Sequence, residues 1–178
     1  MFNEILEFWF EEIDPKMWWS ADPAFDELIR KRYLGLHQCA SQGELLTWRS
    51  HAKGRLAEII ILDQFSRNIY RDTPRAFAQD PMALALAQEA VANNTHQTLP
   101  PVECSFLLIP YMHSESRKIH VEAEILYRTF TPDKSHKFEL RHKAIIDRFG
   151  RYPHRNQIIG RVSTPEEIAF LKLPGSRF

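Results

Sequence analysis

A chain of 178 residues that is 44% hydrophobic and 12% aromatic holds enough apolar material for one core and too little length for several domains. Its 23 basic and 23 acidic side chains cancel, so the basic excess of a general nucleic-acid binder is missing, and no block of like charge suggests an interaction tail. Its two cysteines, Cys39 and Cys104, make neither a disulfide framework nor a metal set, and no run of about 18 apolar residues could cross a bilayer; a reducing, cytoplasmic setting is expected.

Helical periodicity runs through nearly the whole chain, predicting a single all-α domain over residues 1–178. Phe2, Ile5, Leu6, Trp9 and Ile13 form the first stripe; acidic residues among them and the lack of a basic n-region argue for an amphipathic helix and against a signal peptide. Asp22-Pro23 reads as an N-cap followed by proline at the first helical position, and Gly43 lies beyond the end of that helix. A third helix is expected from about Arg55 to Tyr70, and a fourth, alanine-rich, from Asp80-Pro81. Pro100-Pro101 opens a fifth, which Pro110 should kink or end. The sixth covers roughly Arg117 to Phe130, and the seventh runs from about Ser135 to Phe149 and stops at Gly150. After the loop RYPHRNQIIGR, Thr164-Pro165-Glu166-Glu167 carries the T-x-x-E capping box of a last helix. About eight short helices with short connections favour antiparallel hairpins or an irregular bundle.

Three of these helices carry an ionisable residue where the stripe calls for an apolar one. Asp63 and Arg67 extend the stripe of Leu56, Ile59 and Ile60; His113 follows Val102, Phe106 and Ile109; His142 lies among Phe138, Ile145, Ile146 and Phe149. An isolated buried charge is costly, so such groups gather, and Asp63, Arg67, His113 and His142 are expected to lie together. Gln64, Asn68, Arg71, Glu115, Arg151, His154, Arg155 and Asn156 offer further donors and acceptors for the same central pocket. Each also has a plain structural reading. His142 can be a satisfied core histidine, His113 a cation at a helix C-terminus, Asp63–Arg67 a structural ion pair, and Arg151 and Arg155 solvated loop residues. Lys16-Met17-Trp18-Trp19 reads as a lid on the core in preference to a ligand cage.

LDQFSRNIYRDTPRAFAQD (Leu62–Asp80), PYMHSE (Pro110–Glu115) and RFGRYPHRNQIIGRVSTPEEIAFL (Arg148–Leu171), with EILEFWF and Trp18-Trp19, resemble an uncharacterised, mainly bacterial domain-of-unknown-function family. The resemblance spans essentially the whole chain. It implies a tetratricopeptide-like helical array and assigns no catalytic role. The chain departs from it at Ser116, where the family usually has Asp, and the segment that follows is short.

Three functions fit these residues. The first is binding of a small anion, carboxylate or phosphate, or of an acidic peptide end, by arginine forks and amides that outnumber the acids Asp63 and Glu115. The second is hydrolysis or group transfer with His113 or His142 as general acid or base, oriented by Asp63 or Glu115. The third is a protein-interaction scaffold whose polar cluster only fixes helix register. No G-x-S-x-G elbow, Gly-rich phosphate loop or dinucleotide fingerprint is present, and no cofactor is implied. A metal set of Asp63, His113, Glu115, His142 and His154 lacks paired-ligand spacing and faces nearby arginines, so no metal, nucleic-acid or membrane partner is expected. The sequence leaves the oligomeric state open.

Overall fold

The first apolar stripe does not form one helix. In the computed structural model, which describes residues 1–176, α1 (Phe2–Glu7) widens into a π-helical turn at Phe8–Glu12. This buries Ile5, Leu6, Phe8 and Trp9 together, because the wider turn brings neighbouring large side chains onto the core side. A 3₁₀ turn, Pro15–Trp19, follows; Trp18 donates its indole N–H to the Trp9 carbonyl at 2.8 Å, and Trp19 stacks on Phe106 and Phe138. The run is thus a lid on the core, as the sequence suggested.

Helix α2 (Pro23–Ser41) starts where expected, with the Asp22 carboxylate accepting from the Ala24 and Phe25 amides at 2.8 and 3.0 Å. It turns Phe25, Ile29, Tyr33, His37 and Ala40 inward. The central helical rod is α3 (Ala52–Ile60), a second π-helical turn (Ile61–Phe65) and α4 (Ser66–Ile69). Leu56, Ala57, Ile59, Ile60, Ile61, Leu62 and Phe65 are all fully buried, so this rod is surrounded on every side. At its start Gly54 lets the Trp48 carbonyl of a preceding 3₁₀ turn approach, since a Cβ there would stand 2.1 Å from that oxygen.

Helix α5 (Asp80–Ala92) packs through Ala83, Ala87 and Ala90, all fully buried, whose small side chains allow close approach to the rod. The proline-opened segment divides at Leu108, just before Pro110, into α6 (Pro101–Leu107) and α7 (Ile109–Met112). Helices α8 (Arg117–Phe130) and α9 (Asp133–Phe149) are joined by two residues and pack along one another as a hairpin. Gly150, at φ +69°, ends α9. The loop that follows contains a 3₁₀ turn at Pro153–Arg155 and leads to α10 (Pro165–Phe170), whose capping box between Thr164 and Glu167 is formed. No strand occurs among the described residues, and none of their helices is long and apolar enough to cross a membrane.

The large core gathers side chains from α1 through α8; a small second core holds Ile145, Ile146 and Tyr152 with Phe149 and Phe170. The polar residues of interest lie where the two cores meet: Tyr152, in the small one, donates its hydroxyl to the carbonyl of Met112, in the large one, at 2.5 Å.

Candidate functional site

The π-helical turn places Asp63 in the interior with no exposed surface. Gln64 Nε2 donates to Oδ1 at 2.6 Å, the Arg67 guanidinium stands 3.3 Å from Oδ1, and His113 Nδ1 lies 2.8 Å from Oδ2. Burial by itself would raise the pKa of this carboxyl, but Arg67, His113 and Gln64 together hold it well below the ordinary range, so it is ionised. Burial and the Arg67 charge push His113 the other way from protonation, and Asp63 offsets them only in part. The imidazole is therefore neutral at pH 7, with its proton on Nδ1 facing Asp63. That leaves a lone pair on Nε2, which makes no hydrogen bond among the described residues; the side chain keeps 14% exposure.

Asp80, the first residue of α5, stands beside this dyad. It accepts from both terminal nitrogens of Arg67, at 3.0 and 3.2 Å, and from Arg155 at 3.1 Å. Arg155 also donates to the His113 carbonyl at 3.0 Å and lies over the rings of Phe77 and Tyr152, each 4.7 Å from its Cζ. The solvent edge of the cluster is formed by His113, Arg67 and Asp80, whose side chains are 14%, 19% and 17% exposed.

His142 donates Nδ1–H to the Phe138 carbonyl at 2.8 Å, and its ring centre is 6.4 Å from that of His113. Burial pushes its pKa down to about 3. Burial also takes His154 to about 3, with the Arg155 charge adding to the effect; its ring lies 5.6 Å from Tyr152. The cluster therefore sets three neutral imidazoles around two guanidinium–carboxylate pairs. Behind it, His120 Nδ1 lies 2.7 Å from Glu139 Oε1 while Nε2 donates to the Ser114 carbonyl at 2.9 Å, all in a region without solvent. Burial raises the Glu139 carboxyl, its bond to His120 opposes this, and its second oxygen has no partner among the described residues.

So Asp63, Gln64, Arg67, His113, His142, His154 and Arg155 come together. The other predicted residues do not join them. Asn68 and Arg71 turn to the opposite side of the rod and bind Asp26 of α2, each with a contact of 2.7–2.8 Å. Arg151 and Asn156 close on Glu167 of α10, Arg151 in bidentate fashion at 2.6 and 2.7 Å. Glu115 is held by Arg161 at 2.6 and 2.8 Å and accepts from the Tyr152 amide at 2.7 Å. The expected surplus of donors is thus absent: Asp26, Asp80 and Glu167 supply the carboxylates that sequence reasoning left out. In the sequence Asp80 signals only the start of a helix. His120 and Glu139 carried the same signal that found His113 and His142, since His120 shares the buried stripe of Ala123 and Tyr127 and Glu139 lies three and seven residues before His142 and Ile146. Ser116 caps α8 through its hydroxyl, a role that Asp also fills, so the departure there leaves the helix start intact.

Two surface clefts, of about 520 and about 150 Å³, are lined by other residues. Among the described residues no three His, Cys, Asp or Glu side chains stand together in a way that would hold a metal ion.

The profile of the family described as "Bacterial protein of unknown function (DUF924)" matches residues 5–175. The chain belongs to this family. A solved structure of a protein of unknown function from Agrobacterium tumefaciens, ATU0120, superposes with a TM-score of 0.91 at 33% identity, covering 96% of each chain. The fold described above is therefore similar to that of another protein of unknown function, one third identical in sequence. Comparison with curated proteins returns no match.

Proposed function

We propose that this DUF924 protein binds a small molecule bearing a carboxylate or phosphate at the His113–Arg67–Asp80 edge, and that His113 is the proton acceptor in its conversion by hydrolysis or group transfer. One observation carries the reading. Asp63 takes Nδ1–H of a neutral His113 at 2.8 Å and leaves the lone pair of Nε2 unspent at a partly exposed position. A carboxylate behind an imidazole fixes both tautomer and ring orientation, which is the arrangement a general base requires. The supporting charges are two guanidiniums, Arg67 and Arg155, held by a single carboxylate, Asp80, in addition to Asp63. Arg155 Nε is buried without a hydrogen-bond partner among the described residues. The cluster is close to neutral as a whole, so a ligand is recognised by directed donors and not by net charge. The remaining predicted donors, Asn68, Arg71, Arg151 and Asn156, have partners elsewhere and are left out of this proposal.

The test is a screen of small carboxylate and phosphate esters and amides for turnover, followed by His113→Gln. Loss of a general base lowers turnover by about 10²–10⁴-fold with binding retained. Turnover unchanged in His113→Gln would refute the role of this histidine. Binding unchanged when Arg67 is replaced by Met, in protein shown to be folded, would refute the placement of the ligand.

A further inference from the structure

One cleft has walls that carry an arginine without a carboxylate. It lies between the C-terminal end of α2 and the segment following α4, has a volume of about 150 Å³, and is lined by His37, Ser41, Gln42, Tyr70, Arg75 and Gln79, among others. No Asp or Glu lines it. Since a water molecule occupies about 30 Å³ of liquid, the volume suits a group the size of phosphate or a small carboxylate.

The Arg75 guanidinium lies over the Tyr70 ring, its Cζ 3.9 Å from the ring centre, and one terminal nitrogen donates to the Tyr70 hydroxyl at 2.8 Å. It forms no ion pair among the described residues, in contrast to Arg67, Arg71, Arg151, Arg155 and Arg161. The ring contact and the bond to the hydroxyl hold the fork in place, so less is lost on ordering it against an oxyanion. The side-chain amides of Gln42 and Gln79 make no hydrogen bond among the described residues and remain to donate.

A helix C-terminus ordinarily repels an anion through its bare carbonyls. Here those carbonyls are occupied up to that of Ala40. The Ser41 hydroxyl donates to the His37 carbonyl at 2.8 Å, Gln42 N to Gln38 O at 3.1 Å, Gly43 N to Ala40 O at 3.0 Å and Glu44 N to Cys39 O at 3.0 Å. His37 does not compete as a base or nucleophile partner. Ser66 spends its proton on the Leu62 carbonyl at 2.6 Å, so His37 Nε2 donates to Ser66 Oγ at 2.7 Å and the pair is structural. That contact also ties the cleft wall to the rod one turn after Asp63.

We propose that this cleft is a second, separate binding site, for a compact oxyanion such as phosphate or the carboxylate of a small metabolite, with Arg75 as its principal donor. The experiment is a backbone and arginine-side-chain NMR titration of the full chain with inorganic phosphate, and in parallel with acetate, at constant ionic strength. Saturable shifts at Ser41, Gln42, Tyr70, Arg75 and Gln79 are expected with at least one of the two anions. Arg75→Gln should weaken them about tenfold or more, and because Arg75 is exposed this variant keeps the fold. His113→Gln should leave them unchanged, which separates this site from the one proposed above. Linear, unsaturable shifts, saturable binding that survives Arg75→Gln, or shifts confined to the neighbourhood of His113 would each overturn the assignment.

Discussion

Replacing Asp63 by Asn tests the centre of the cluster while conserving shape. All the side-chain groups bonded to this carboxylate are donors: Gln64 Nε2, the Arg67 guanidinium and His113 Nδ1. The amide NH₂ of an Asn must therefore face one of them, whichever way it is turned. Gln64 can give way by turning its amide, and His113 by moving its proton to Nε2, but Arg67 can only donate. The charge count changes as well: Arg67 and Arg155 are left to share Asp80 alone. Removing one member of a buried pair costs about 3–5 kcal/mol, and the low end applies because Arg67 keeps Asp80. A loss of about 3 kcal/mol corresponds to a fall in Tm of about 6–12 °C for a chain of this size. Urea unfolding followed by tryptophan fluorescence measures it, with an unchanged slope as the control for two-state behaviour.

The pH dependence supplies a second arm. The folded-state value of Asp63 lies below the ordinary range, so its contribution is complete above the unfolded carboxylate pKa of ~3.9 and is lost only as pH falls toward the folded value. The gap between wild type and Asp63→Asn should then not narrow from pH 7 to pH 5, and because Asp63 favours the charged form of His113 it can only widen. A gap under about 1 kcal/mol, or one that closes within that range, would refute the assignment of Asp63 as an ionised, load-sharing partner of Arg67.

Other predictions follow the same logic. Burial lowers His142 and His154 to about 3 and His37 to about 4, so the unfolded chain takes up protons first as pH falls below ~6.5. Stability should therefore decline from pH 6.5 to pH 4.5, by at most ~1.4 kcal/mol per pH unit for each histidine; urea midpoints that stay flat across this range would contradict the buried, neutral assignment. Gly54→Ala should destabilise by about 2 kcal/mol or more, because its Cβ would stand 2.1 Å from the Trp48 carbonyl and the backbone has to move; thermal unfolding reads this directly. Glu167→Ala removes a capping partner and the acceptor of Arg151 and Asn156, and should cost about 2–3 kcal/mol, with early loss of amide protection in α10. Cys104 is buried with its thiol pushed up to about 12, so it should resist thiol reagents in the native state and react only on unfolding.

Much of this molecule was legible before any coordinates because the signals are local. The Asp22-Pro23 start, the break before Pro110, the stop at Gly150 and the capping box of Thr164 each depend on a few adjacent residues, and all four stand in the structure. Polar side chains on apolar stripes likewise announced that Asp63, Arg67, His113 and His142 would meet, since burial leaves such groups no other stable neighbours. Which carboxylate each arginine would find was not encoded in this way. Asp26 and Arg71 are 45 residues apart and Asp80 and Arg155 are 75 apart, distances over which no periodicity carries information. Nor did a uniform helical repeat reveal the π-helical turns at Phe8–Glu12 and Ile61–Phe65, the second of which carries Asp63 at its centre. The widening of a helix by one residue is decided by what packs around it, and so the partition of one expected donor-rich pocket into separately neutralised stations was settled only when the chain closed on itself.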